Sequence, residues 1–152
     1  MKDKSPKTQL ADFIAKYTPE VGALAQAALK KMRARLPGAV ELVYDNYNAL
    51  VIGFGPTERT SDAIFSIALY PRWVNLFFLQ GASLPDPKKL LQGSGKIVRY
   101  IVLKDAADLD KPAVKALMTC ALKRSTKPLE SAMPGRIVIK SISAKQRPRR
   151  PA

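Results

Sequence analysis

Histidine is absent from this sequence, and its absence excludes several kinds of chemistry. Ser-His-Asp and Cys-His nucleophilic sites cannot form, and the commonest transition-metal ligand is missing. With Cys120 as the one cysteine, a tetrahedral zinc site cannot form within one chain either. The sequence also has no nucleophile elbow and no dinucleotide-binding fingerprint. We therefore expect no enzymatic activity, no cofactor and no metal site.

Long apolar runs and a second cysteine are also lacking. No run approaches the roughly 20 residues of a membrane-spanning helix. The charged start, MKDKSPKTQLADF, lacks the apolar segment of a secretory signal. One cysteine cannot form an intrachain disulfide, which fits a reducing compartment. These features predict a cytoplasmic protein with no membrane partner, and its 152 residues are the length of one domain.

Acidic residues are scarce. The chain has 12 Asp and Glu against 26 Lys and Arg, a formal net charge of +14. Residues 123–152 hold nine of the basic residues and one acidic residue. Such a field attracts anions, so one hypothesis is non-specific nucleic-acid binding through this tail; the alternative is a solvated tail that aids solubility. The tail residues suited to phosphate contacts are Lys140, Lys145, Arg147, Arg149 and Arg150.

Apolar spacing predicts helices at both ends of the central region. A short helix is expected near residues 9–16. Thr18-Pro19 is a helix-start signal and Pro37-Gly38 a stop signal, so a longer helix is expected between them. A last helix is predicted over residues 111–125, where apolar residues repeat at three- and four-residue spacing.

The region between the helices reads as strands. Hairpin turns are expected at Asp45–Asn48 and at Tyr70–Trp73, and a further strand over residues 97–104. Short strands joined by tight turns imply antiparallel pairing. The predicted fold is therefore α+β, with an antiparallel sheet of about five strands and helices packed on one face.

We divide the chain into three regions. Residues 1–7 are predicted to be a disordered basic lead-in, residues 8–124 a single α+β domain, and residues 125–152 a basic C-terminal extension. Within the extension, residues 136–142 look like a strand. This strand is expected to pair with the sheet edge or with another subunit, as in a homodimer.

The stretch LLQGSGKIVRY, residues 90–100, looks at first like a phosphate-binding loop. That motif needs a glycine where this chain has Leu90 and a hydroxyl where it has Ile97. It also precedes a helix, whereas a strand is predicted here. A weaker function remains open, because successive amides of a glycine turn can form an anion-binding nest. The nest would comprise Gly93, Ser94 and Gly95, with charge from Lys96 and Arg99.

A ligand pocket is predicted where these loops would meet. Asp45, Asn46 and Tyr47 form a polar, aromatic turn, and Arg72 lies at the next corner. With the glycine loop at the same end of the sheet, cationic and aromatic groups would suit a small anionic or planar ligand. The predicted function is therefore a non-catalytic binding module for a small anion.

Four segments together resemble the YdhG-like family of small bacterial domains, largely of unknown function. They are residues 13–39, ELVYDNYNALVIGFGPTER, AIFSIALYPRWVNLFFLQGA and LLQGSGKIVRYIVL, and the similarity covers roughly residues 8–124. The resemblance implies an α+β fold. One branch is described as a frataxin-like iron chaperone, which makes iron delivery a further alternative. The one local carboxylate group, Asp105, Asp108 and Asp110, is explained by helix capping, and we assign no metal site.

Overall fold

A computed structural model describes residues 4–152 of the chain. Its helices are α1 (Pro6–Ala15), α2 (Pro19–Arg35) and α3 (Pro112–Arg124). Its strands are β1 (Val40–Asp45), β2 (Leu50–Gly55), β3 (Phe65–Leu69), β4 (Val74–Phe78), β5 (Arg99–Leu103) and β6 (Arg136–Ile142).

The first two helices start as their sequences indicate. Ser5 and Thr18 each precede a proline, and each hydroxyl accepts a hydrogen bond from the backbone N–H three residues later. Proline at the first helical position lacks the N–H that would be unpaired there. Since α1 begins at Pro6, it takes in two residues of the predicted lead-in; residues 1–3 of that lead-in lie outside the described residues.

The six strands form one sheet in the order β5-β4-β3-β2-β1-β6. The α+β class is confirmed, but the expectation of about five antiparallel strands is wrong, because β6 adds a sixth. It comes from the predicted extension and pairs parallel to β1, with Val40 opposite Arg136 and Glu41 opposite Ile137. Alternation of apolar residues shows that a segment can be a strand, but not which strand it joins or in which direction.

One face of the sheet carries the core. α2 contacts β3 and β4, while α1 contacts β6. The apolar residues of α3 belong to the same buried cluster. Large buried side chains facing these helices include Ile52, Phe54, Phe65, Ile67, Leu76 and Phe78.

We call the other side of the sheet the open face. Loop residues 56–63 cover part of it: a hydroxyl–hydroxyl hydrogen bond joins Tyr44 to Thr60, and Ala63 lies against Gly55. Strand alternation and register place the following residues of β1–β5 on the open face: Val40, Leu42, Tyr44, Val51, Gly53, Gly55, Ser66, Ala68, Asn75, Phe77, Tyr100 and Val102.

The two ends of the sheet carry different loops. The hairpin end carries turn 46–49, turn 70–73 and the tail 143–152, which hydrogen-bonds to the first turn. The glycine-loop end carries residues 79–83 and 93–98, where β4 finishes and β5 begins. A five-residue strand spans roughly 17 Å, so the ends are well separated.

Candidate functional site

The tail is held across the hairpin end by backbone hydrogen bonds. The Ser143 N–H donates to the Asp45 carbonyl and the Arg147 N–H donates to the Tyr47 carbonyl, both at 2.9 Å. The Gln146 side-chain amide adds a bond to the same Asp45 carbonyl at 3.1 Å. Residues 143–147 therefore form a fixed rim above the β1–β2 turn.

Arg149 turns inward from this rim and is buried. It is 6% exposed, and its Nη2 donates to Oδ1 of the fully buried Asp45 at 2.8 Å. The guanidinium also lies over the Tyr17 ring, 5.7 Å from its centroid. Lys16 contacts the other Asp45 oxygen at 3.0 Å. Because these charges neutralise each other inside the protein, Asp45 and Arg149 hold the tail in place and present no charge to a ligand.

Between this rim and turn 70–73 lies an open cleft of about 680 Å³. Ligand sites are usually about 300–1,000 Å³. We call this feature the arginine cleft. Its polar and aromatic lining residues are Asn48, Tyr70, Arg72, Trp73, Arg147 and Arg150.

The charged side chains that line the arginine cleft are all of one sign. Its lining includes three arginines and no Asp or Glu side chain. Within residues 4–152, Arg72 and Arg147 make no side-chain hydrogen bond or ion pair. Arg150 donates its Nε to the Lys16 carbonyl at 3.1 Å. Two guanidinium groups are thus available for an anion, which a planar N–H fork binds in two-point fashion.

An aromatic pair forms one wall of the arginine cleft. The rings of Tyr70 and Trp73 have centroids 5.7 Å apart and an interplanar angle of 30°. Burial, helped by the neighbouring Tyr100 hydroxyl, raises the pKa of Tyr70 above its ordinary value. The Tyr70 hydroxyl is therefore protonated at neutral pH and can donate a hydrogen bond. Trp73, with 45% of its surface exposed, offers a ring for stacking.

The residues predicted to line a single pocket do not lie together in the structure. Arg72 lies in the arginine cleft, but Gly93–Lys96 and Arg99 lie at the opposite end of the sheet. The single pocket expected from the sequence is therefore wrong. Asp45 ends β1 whereas Arg99 begins β5, and these two strands run in the same direction. Strand direction thus forces the two groups apart.

The remaining predicted ligand residues are placed as follows. Asn46 accepts a hydrogen bond from Arg149 through its carbonyl, and Tyr47 is 52% exposed beside the rim. Gly93 has a φ of +113°, as a glycine turn requires. The Arg99 guanidinium donates to the carbonyls of its own loop, so it braces that turn.

The five basic tail residues differ in how they are placed. Arg147 lines the arginine cleft, and Arg149 is buried on Asp45. Lys140 donates to the Glu58 carbonyl at 3.0 Å, and Arg150 reaches the carbonyls at the end of α1. Lys145 is exposed. The structure therefore shows a tail fixed to the domain surface along these residues.

The sequence analysis missed the pairing of Arg147 and Arg150 with turn 70–73. More than 70 residues separate the two segments, and no local pattern links residues so far apart. One feature of the sequence pointed to an ordered tail, namely its content of arginine and proline. Proline restricts the backbone and favours an extended conformation.

Two further cavities each have an ion pair in their lining. A cavity of about 420 Å³ contains Arg33, which makes a bidentate ion pair with Glu41 at 2.8 and 2.9 Å. Another, of about 360 Å³, contains Lys127, whose ammonium lies 3.2 Å from the Asp62 carboxylate. These cavities are a poorer choice for an anion than the arginine cleft, because a ligand would compete with an existing carboxylate.

Residues 4–152 contain no group of three or more His, Cys, Asp or Glu side chains placed to hold a metal ion. Across the same residues, no helix is long and apolar enough to span a membrane. The chain matches no protein-family model, no curated protein and no solved structure.

Proposed function

We propose that the protein is a non-catalytic binding module for a small anionic ligand, which it holds in the arginine cleft. One observation carries the proposal: the guanidinium groups of Arg72 and Arg147, which have no side-chain partner within residues 4–152, line the same cleft as the exposed ring of Trp73. The rim that carries Arg147 is fixed before any ligand arrives. Such preorganisation lowers the entropic cost of binding.

The ligand class follows from this lining. Two guanidinium groups suit a phosphate or carboxylate, and the Tyr70–Trp73 wall suits a planar group stacked beside it. A nucleoside monophosphate has both parts, so adenosine monophosphate is the probe of choice. Inorganic pyrophosphate tests the anion site without the ring.

We also propose a cellular location and a family for the protein. A binding role in the cytoplasm and membership of the YdhG-like family fit the α+β fold and the quoted segments. An iron-carrying role draws no support from the cleft, since guanidinium groups repel cations. A tail acting as a free nucleic-acid arm is also weakly supported, because Arg149 and Arg150 already bond to the domain.

The test uses Trp73, the one tryptophan of the chain. Adenosine monophosphate should quench its fluorescence on binding. Arg72→Gln and Arg147→Gln should each weaken binding by about 10- to 100-fold, since each removes hydrogen bonds from a charged donor. Lys96→Gln is the matched control, because it removes one exposed positive charge at the glycine-loop end. Equal losses in all three variants would mean non-specific attraction and would reject the proposal.

A further inference from the structure

The part of the open face formed by β1–β5 carries no charged side chain and is rich in aromatic residues, while β6 adds Arg136 at the far edge, where it pairs with Glu58. None of the twelve open-face positions on β1–β5 carries an ionisable carboxylate, ammonium or guanidinium group. Phe77, Tyr100 and Val102 are half-buried on it. Trp73 and Tyr70 continue it at the hairpin end, where the Tyr70 N–H bonds to the Trp73 carbonyl. The open face therefore runs directly into the arginine cleft.

Two pairs of aromatic side chains lie on this face, one at each end of β4. Phe77 and Tyr100 have centroids 5.5 Å apart, and Tyr70 and Trp73 have centroids 5.7 Å apart. Trp73 and Phe77 are four residues apart along extended chain, roughly 13 Å. The surface thus offers two separate aromatic platforms on a single sheet.

Between the two platforms lies a polar side chain without a partner. Asn75 is 6% exposed, and its Oδ1 makes no hydrogen bond within residues 4–152. Strand alternation puts Asn75 on the same face as Phe77. A buried polar atom without a partner is uncommon in a folded protein and needs an explanation. Rotation of the Asn75 side chain toward the open face would let this oxygen accept a hydrogen bond from a ligand N–H.

We propose that the open face binds the bases of a single-stranded nucleic acid while the arginine cleft holds its phosphates. The proposal rests on the anion-binding function of the cleft and extends it to a polymer. Bases stack on aromatic rings with little dependence on sequence. Base edges also carry N–H groups, which can donate a hydrogen bond to Oδ1 of Asn75.

The charge of the protein supports this partner over others. A net charge of +14 attracts a polyanion, and the cations beside Trp73 are Arg72 and Arg147, which have no carboxylate partner. A duplex fits poorly, because its bases are already stacked on one another and are not free to stack on protein rings. Unpaired bases are the form that can lie on Tyr100 and Phe77.

The experiment titrates the full chain with a single-stranded thymidylate oligomer of about ten nucleotides, a length within the range that other single-strand-binding domains cover. A duplex of the same length and inorganic pyrophosphate are titrated in parallel. The oligomer should quench Trp73 and bind at least about tenfold tighter than the duplex. Two phosphate contacts, made by Arg72 and Arg147, predict a slope of roughly −1.4 in a plot of log affinity against log salt.

Single substitutions distinguish binding at the open face from binding at the arginine cleft. Tyr100→Leu should weaken oligomer binding about tenfold, since one stacked base is lost, and should leave pyrophosphate binding unchanged. Phe77→Leu should behave in the same way and serves as a second variant if the first does not melt cooperatively. Tyr47→Leu is the matched control, because it removes an aromatic ring exposed outside both the open face and the cleft lining.

Each outcome bears on the proposal. Pyrophosphate binding with no effect of Tyr100→Leu on the oligomer would overturn this inference and leave the proposed function standing. Failure of both probes to bind would overturn both. Dimerisation that Tyr100→Leu abolishes, without oligomer binding, would assign the open face to a second copy of the chain and overturn the nucleic-acid proposal.

Discussion

Arg149 donates a hydrogen bond to Asp45 across 104 residues of sequence, and both side chains are buried. The pair joins the C-terminal tail to the end of the first strand. It also sets the geometry of the arginine cleft, because Arg147 on one side of Arg149 and Arg150 on the other both line it. The shape of the site therefore depends on a contact that lies outside it.

Removal of the Arg149 side chain should destabilise the protein strongly. Arg149→Ala leaves the buried Asp45 carboxylate with Lys16 alone, and breaking a buried ion pair costs about 3–5 kcal/mol. The free energy of unfolding from urea titration measures the loss. Arg147→Ala is the control and should change stability by no more than about 0.5 kcal/mol, because its exposed side chain makes no bond. Equal effects of the two changes would contradict the account.

Tyr17 should be stabilising through its hydroxyl. That hydroxyl accepts from the Leu50 N–H and donates to the Leu69 carbonyl, both at 3.0 Å, and so links β2 to β3. Tyr17→Phe leaves two buried backbone groups without this partner, at a cost of about 1–3 kcal/mol. Urea titration again gives the value. A loss below about 0.5 kcal/mol would show that the backbone groups find other partners.

Stability should fall in alkaline solution. Burial raises the pKa of Tyr17 above its ordinary value of 10.0, and burial does the same for Tyr70. The folded state then keeps protons that the unfolded state releases. The stabilising effect is complete below pH 10.0 and is lost as the pH rises through the folded-state pKa. Unfolding free energies measured from pH 8 to 12 should be less pH-dependent in Tyr17→Phe.

Two truncations separate the roles of β6 and of the tail. Deletion after residue 142 removes Arg149 but keeps β6, and should cost about as much as Arg149→Ala. Deletion after residue 124 also removes the strand paired with β1, and should lower the melting temperature by a further 10 °C, roughly. A cooperative melt close to that of the full chain after the longer deletion would show that residues 8–124 fold independently.

Local signals predicted much of the fold. Thr18-Pro19 and Pro37-Gly38 gave the limits of α2 closely, because capping and chain-breaking are local effects. The turns at Asp45–Asn48 and Tyr70–Trp73 are also where the sequence indicates, since their residues tolerate turn conformations. These elements can be predicted without information about distant parts of the chain.

The site could not be predicted in the same way. The parallel pairing of β6 with β1 and the bond between Arg149 and Asp45 join segments about 100 residues apart, and only packing selects them. The basic residues in the last turn of α2, Arg33 and Arg35, show a similar limit. Arg33 fits a favourable interaction with the end of its own helix, yet in the structure it forms a bidentate ion pair with Glu41 of β1.

Nuclear magnetic resonance of the full chain during titration with adenosine monophosphate tests the central claim most directly. The account predicts that the largest chemical-shift changes fall on the Trp73 indole N–H and on the Arg72 and Arg147 signals, while Gly93–Lys96 stay unchanged. Shifts centred on Gly93–Lys96, or no shift at the arginine cleft at millimolar ligand, would contradict it.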